Sequence, residues 1–212
     1  MSTRILFIGN SYTGRNDLPG LIRQLAASAD PPKELETEKS LLNGMALKTH
    51  WDRGDALKLL EGSKWDFVSL QEQSTLPFKN PARMREYVSK FDEAIRKHGA
   101  RTVLYLTWAR QDAPERQAEI TEAFTSAARE TGALVVPVGP AWEAALRESP
   151  GLPLYDADKS HPSLAGSYLA ACVFYSVLFR ESPVGLWTPP RLDGETARRL
   201  QKAAWETVQN FA

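Results

Sequence analysis

Short apolar runs, several rich in β-branched residues, alternate along this chain with longer segments of helical periodicity. The runs are Arg4–Ile8, Leu35–Leu41, Asp66–Leu70, Thr102–Thr107 and Ala133–Val138. The last three are nearly continuous in apolar residues, the pattern of parallel strands buried on both faces. The second is weaker: Glu34-Leu35-Glu36-Thr37-Glu38 alternates in charge, as a strand with one wet side would. Between the runs the spacing predicts helices over Leu18–Ala29, Asp55–Glu61, Pro81–His98, Pro114–Thr131 and Trp142–Glu148. Two more, Ser163–Phe179 and Gly194–Phe211, close the chain. Pro81 and Pro114 stand at first turns, and Gly99 and Gly132 follow helix ends. Asp112, Ser163 and Asp193 are placed to act as caps.

Strand and helix in alternation specify an α/β protein. We expect one domain over residues 1–212, a three-layer α/β/α sandwich on a flavodoxin-like, five-stranded, mostly parallel sheet. Glu181–Arg191 reads as a loop launching a last amphipathic helix on the outside of that sheet. Right-handed crossovers put every strand-to-helix loop at the same sheet edge, and chemistry is to be sought there.

Composition narrows the function classes. Twenty-six Lys and Arg balance 26 Asp and Glu, so no basic excess marks a nucleic-acid or anionic-membrane partner. One Cys excludes an internal disulfide framework and thiolate-rich metal sites, and three scattered His disfavour metal catalysis. No cofactor is expected, and the lone Cys points to a reducing, cytoplasmic setting. The apolar run Ile5–Ile8 is too short for the core of a signal peptide. Tyr168–Phe179, the longest apolar stretch, falls short of the roughly 18–20 residues that span a bilayer, so it reads as a buried helix. Cys172 within it reads as a small buried hydrophobe.

At the carboxyl ends of the strands lie Gly9-Asn10-Ser11-Tyr12-Thr13, Asn43-Gly44-Met45, Gln71-Glu72-Gln73-Ser74 and Trp108-Ala109-Arg110. Asp158-Lys159-Ser160-His161-Pro162-Ser163 stands ahead of the apolar helix. Taken singly, Ser11 is a helix cap, His161 a surface residue and Asp158 a turn residue. Together they offer more. A Ser hydroxyl is a weak nucleophile that needs an adjacent base, itself oriented by a third group. His161 supplies the base, and Asp158, three residues earlier, can fold back to its Nδ1–H and leave Nε2 free. The chain order Ser, Asp, His is that of α/β-hydrolases, but G-x-S-x-G is missing around Ser11. A dinucleotide site is excluded, because Gly9–Gly14 lacks G-x-G-x-x-G.

With Ile8-Gly9-Asn10-Ser11, Gly44 and Asp158-x-x-His161 in these slots, the sequence resembles the SGNH hydrolases, the GDSL-like esterase superfamily, over residues 4 to about 180. Two departures mark a branch: Asn10 replaces the usual Asp before the nucleophile, and Gln71-Glu72-Gln73-Ser74 replaces Gly-x-Asn-Asp. The resemblance implies Ser11 as nucleophile, His161 as base and Asp158 as its partner. It also implies oxyanion donors from the backbone N–H of Ser11 and Gly44 and the side chain of Gln73, with Gln71 the competitor. The implied activity is a metal-free serine esterase acting on small acyl esters, acetylated carbohydrates foremost. The alternatives are a non-catalytic small-ligand-binding domain of the same fold, or a thioesterase or lipid esterase of the superfamily. Tyr12, Trp51, Trp108 and Arg110 are candidate substrate contacts, the Trp residues more readily packing and Arg110 more readily an ion pair. His50 could support the Gly44 loop, and His98 suits a helix C-terminus. Glu72 has no partner acid at a defined distance, so glycosidase chemistry is not indicated.

Overall fold

The computed structural model describes residues 2–211. Five strands, β1 (Thr3–Gly9), β2 (Leu35–Leu41), β3 (Phe67–Leu70), β4 (Arg101–Leu106) and β5 (Leu134–Pro137), form one sheet in the order β2-β1-β3-β4-β5. Every pairing is parallel. Ten α-helices accompany them among the described residues: α1 (Ser11–Gly14), α2 (Leu18–Ala27), α3 (Leu47–Arg53), α4 (Asp55–Glu61), α5 (Leu76–Lys79), α6 (Pro81–Lys97), α7 (Gln117–Thr131), α8 (Val138–Glu148), α9 (Leu164–Phe179) and α10 (Gly194–Asn210).

The period-two alternation of side chains divides the core into two layers. Ile5, Phe7, Val103 and Tyr105 face one side, packing with residues of α2, α8, α9 and α10. Leu6, Ile8, Leu104 and Leu106 face the other, packing with residues of α3, α4, α6 and α7. Because β2 and β3 flank β1 on opposite sides, the chain reverses direction across the sheet at β1. Loops after β1 and β3 therefore diverge to opposite faces and leave a crevice at their carboxyl ends, where ligands of open α/β sheets bind.

The apolar Tyr168–Phe179 stretch lies in α9, which is apolar on all sides because α2 and α10 both pack against it. Among the described residues no helix is long and apolar enough to cross a membrane. Ser163 and Asp193 cap α9 and α10 by accepting the N–H of Gly166 and Thr196. Gly132 ends α7 with φ +73°, in the left-handed region that favours glycine.

Local detail departs from the pattern in four places. The predicted Pro114–Thr131 helix is a 3-10 turn, Pro114–Arg116, followed by α7. Asp112 does not cap it; its carboxylate pairs with Arg110 instead. Val138 opens α8 rather than ending β5, so that helix starts four residues before Trp142. Finally α1, α3 and α5 form where the pattern predicts no helix; α1 and α5, of four residues each, are too short to imprint a helical period.

Candidate active site

Gly9 ends β1 against the side chains that follow it: a Cβ there would lie 2.7 Å from Gln71 Oε1 and 2.8 Å from Thr13 Oγ1. Asn10 then caps α1. Its Oδ1 accepts the N–H of Tyr12 (3.1 Å), its Nδ2 donates to the Met45 carbonyl (3.1 Å) and its own N–H donates to Gln71 Oε1 (2.8 Å). These bonds account for the first sequence departure. The side chain must both accept and donate, and an aspartate would face the Met45 carbonyl with no proton to offer. Ser11 thereby becomes the first residue of a one-turn helix, with its Oγ 2.8 Å from His161 Nε2.

His161 is carried by a tight loop closed by an antiparallel bridge between Tyr155 and Pro162. Within it Asp158 Oδ1 accepts the N–H of Ser160 (3.0 Å) and of His161 (2.9 Å), while Oδ2 meets His161 Nδ1 at 2.5 Å. Hydrogen bonding to the His161 ring, then to its N–H, holds the Asp158 carboxyl well below the usual carboxylate range. Lys159, between them, takes φ +60° to make the turn.

Aromatic rings support this loop from below. Tyr12 stacks on Trp108 (4.8 Å between centroids) and Trp108 on Trp142 (4.0 Å). The Tyr12 hydroxyl is hydrogen-bonded to Ser160 Oγ at 2.6 Å, and Trp108 Nε1–H donates to the Ser160 carbonyl at 3.0 Å. Trp108, 1% exposed, is thus a buried prop and no substrate platform, and Tyr12 at 4% forms the floor of the cleft. Trp51 packs edge-on against Phe91, away from the cleft. Arg110 pairs with Asp112 and reaches the Asp158 carbonyl (3.4 Å), so it braces the outside of the loop.

The second and third loops complete the site. Gly44, at φ +71°, stands in a turn closed by the Met45 N–H on the Leu42 carbonyl (3.0 Å). Among the described residues, the N–H groups of Ser11 and Gly44 donate to no protein acceptor. Gln73 lines the cleft, and its Oε1 accepts from the Thr75 N–H, the Thr75 hydroxyl and the Leu76 N–H, capping α5 and leaving the Nε2 hydrogens unused. Gln71 is buried and committed at both ends: Oε1 to the Asn10 N–H and the Thr13 hydroxyl, Nε2 to the Glu72 carbonyl.

Two buried residues brace these loops in ways the sequence did not disclose. Glu72, 1% exposed, accepts through Oε1 the N–H of Leu47 (3.1 Å) and of Gln73 (2.6 Å), tying the start of α3 to the third loop. Burial pushes its pKa up to about 7. His50 donates from Nε2 to the Gly9 carbonyl (2.8 Å), and burial lowers its pKa; it holds the turn before Ser11 rather than the Gly44 loop. The only sequence signal for Glu72 is polarity beside a strand end, and His50 lies within α3.

The loops enclose a cleft of about 570 Å³ lined by Ser11, His161, Gly44, Gln73 and their neighbours. Apart from Tyr12 and the glycine, every lining side chain ends in a hydroxyl, amide, guanidinium or imidazole.

No protein-family model matches the chain, and no curated protein matches it. Solved structures do. A DUF4886 family protein from Bacteroides uniformis is 19% identical, with 99% of this chain and 96% of that one covered at a TM-score of 0.83. A protein from Slackia heliotrinireducens assigned to the SGNH hydrolases is 30% identical, covering 84% of this chain and all of its own, at a TM-score of 0.71. The psychrotrophic esterase EstA from Pseudoalteromonas, solved in a form inhibited by monoethylphosphonate, is 17% identical, with 84% and 98% covered and a TM-score of 0.63. The sheet order, the crevice at β1 and these relatives define a hydrolase-type α/β/α fold. The chain belongs to the SGNH hydrolase superfamily.

Proposed function

We propose that the protein is a serine esterase that hydrolyses small acyl esters of polar, hydroxylated alcohols such as carbohydrates through an acyl-enzyme. The reading is carried by one observation, the 2.8 Å approach of His161 Nε2 to Ser11 Oγ with Asp158 on the other ring nitrogen. Ser11 Oγ attacks the ester carbonyl as its proton passes to His161 Nε2, and Asp158 stabilises the imidazolium. The negative charge that builds on the carbonyl oxygen meets the N–H of Ser11, the N–H of Gly44 and Gln73 Nε2, each a donor without another partner. Such donors contribute on the order of 10² to 10³ apiece in turnover. His161 then returns the proton to the leaving alcohol, and water repeats the sequence on the acyl-Ser11.

Substrate size follows from the lining. A long acyl chain is held by contiguous apolar surface, and this cleft has no aliphatic side chain. Acetyl and similarly short groups on a polar alcohol fit it better.

The test uses p-nitrophenyl acetate and a fluorophosphonate probe, a choice supported by the phosphonate-inhibited Pseudoalteromonas esterase. Wild-type protein is expected to turn over the ester and to be labelled at Ser11, and Ser11→Ala and His161→Ala to lose both. Wild-type protein that stays unlabelled, or label on another Ser, overturns the assignment.

A further inference from the structure

The polar lining contains one fixed cation. Arg15 follows α1 directly, and its N–H closes that helical turn on the Ser11 carbonyl. A separation of four along a helical turn puts Arg15 on the face of Ser11, about 5–6 Å away between Cβ atoms, and both side chains line the cleft. The guanidinium approaches Asp156 Oδ2 at 3.1 Å through NH1 alone. Asp156 belongs to the His161 loop, where its N–H donates to the His161 carbonyl (2.8 Å). This ion pair therefore links the nucleophile's turn to the base's loop. Beyond this ion pair Arg15 makes no side-chain hydrogen bond among the described residues, so most of its five donors remain available. It is 47% exposed, open to a ligand entering from solvent. Arg110, the other cation of this region, is turned outward to Asp112.

A planar guanidinium with free donors, anchored at one corner, matches a carboxylate in two-point geometry. We propose that Arg15 determines specificity, selecting esters that carry a carboxylate within about one helical turn of the scissile bond. Asp156 holds the guanidinium in place between turnovers and shares it with the substrate. The proposal rests on the Ser11 esterase reading, which supplies the reaction. The chain's zero net charge makes no difference to it, because the recognition is local.

The experiment compares matched ester pairs. 4-Nitrophenyl hemisuccinate is set against 4-nitrophenyl pentanoate, which places charge on the acyl side, and 3-acetoxybenzoate against phenyl acetate, which places it on the leaving side. The readout is the ratio of kcat/KM for the anionic member to that for the neutral one. Wild-type protein is expected to favour the anionic member of at least one pair. Arg15→Gln should lower that ratio tenfold to a hundredfold, about the range of one or two charge-assisted hydrogen bonds, chiefly through KM. Arg15→Lys should restore part of it, and Asp156→Asn, which releases the guanidinium, should raise it. An anionic-to-neutral ratio that is the same in wild type and Arg15→Gln for both pairs would overturn the Arg15 assignment and leave the esterase standing. No turnover of any ester together with no labelling of Ser11 would overturn the esterase reading, and this proposal with it.

Discussion

Glu72→Gln isolates the buried carboxyl that ties the start of α3 to the loop after β3. Glu72 Oε1 bridges the Leu47 and Gln73 N–H groups, while Oε2 is buried without a partner. The charge that acts on it is that of Arg83 on α6, and neither that nor the two N–H bonds offsets burial, which takes the pKa from 4.5 to about 7. Between those values the folded protein keeps a proton that the unfolded chain has lost. Stability contributed by this group is therefore complete below pH 4.5 and is lost as pH rises through 7. At about 1.4 kcal/mol per pH unit the window amounts to about 3 kcal/mol, a large part of a typical domain's 5–15 kcal/mol. Glutamine keeps the carbonyl acceptor for both N–H groups and does not titrate. Its NH₂ occupies the place of the protonated Oε2, which is likewise without a partner, so the two proteins should differ least at pH 4.5. Urea unfolding of both proteins from pH 4.5 to 8 gives the difference directly, since every other titrating group is common to both. The variant should gain about 3 kcal/mol on wild type across the range. Parallel curves would refute a buried, protonated Glu72.

Three further outcomes follow from the site. Gln73→Glu keeps the oxygen that caps α5 but replaces the free Nε2 donors; kcat should fall on the order of 10² to 10³ or more with little change in unfolding midpoint, and an unaltered kcat would remove Gln73 from the oxyanion hole. Asp158→Asn takes away the carboxylate that fixes the His161 tautomer, so kcat on p-nitrophenyl acetate should drop on the order of 10³ to 10⁴, as in serine proteases, with KM little changed. Gly166→Ala would put a Cβ 2.3 Å from the Leu154 carbonyl and 2.4 Å from the Trp142 ring; urea unfolding should show a loss of about 1–3 kcal/mol, and an unshifted midpoint would mean that α9 and the Trp142 stack are not close-packed.

The layered α/β/α architecture was legible because its signals are local and repeated. Continuous apolar runs such as Val103–Leu106 can be satisfied only between two layers of helices, and β2 announced its wet side by charge alternation. Residues at strand ends must fall on one sheet edge, so Ser11, Gly44 and Gln73 could be placed near one another before any contact was seen. Asp158 and His161 were legible for another reason. Three residues of separation within a loop leave few ways for a carboxylate and an imidazole to avoid each other. Short helices such as α1 leave no periodic signal because four residues carry no period, although the Asn10 cap that starts α1 is written in the sequence.

The substrate contacts were not legible, because burial and direction are tertiary properties. Trp108 and Tyr12 sit at a strand end and beside Ser11, positions that fit a ligand platform as well as a prop. Only the stack with Trp142 and the bonds to Ser160 decide for the prop. Gln71 and Gln73 differ by two residues and are the same amide. Which has a free Nε2 depends on where the Asn10 and Leu76 N–H groups lie. Arg15 and Arg110 have the same guanidinium; one opens on the cleft and the other is turned to Asp112. By itself, then, the sequence determined the layers, the edge and the Ser, Asp and His that meet there, because those follow from periodicity and chain connectivity. The tertiary structure alone decided which polar groups are spent on holding the loops and which are left for a substrate, because that is settled by partners distant in the chain.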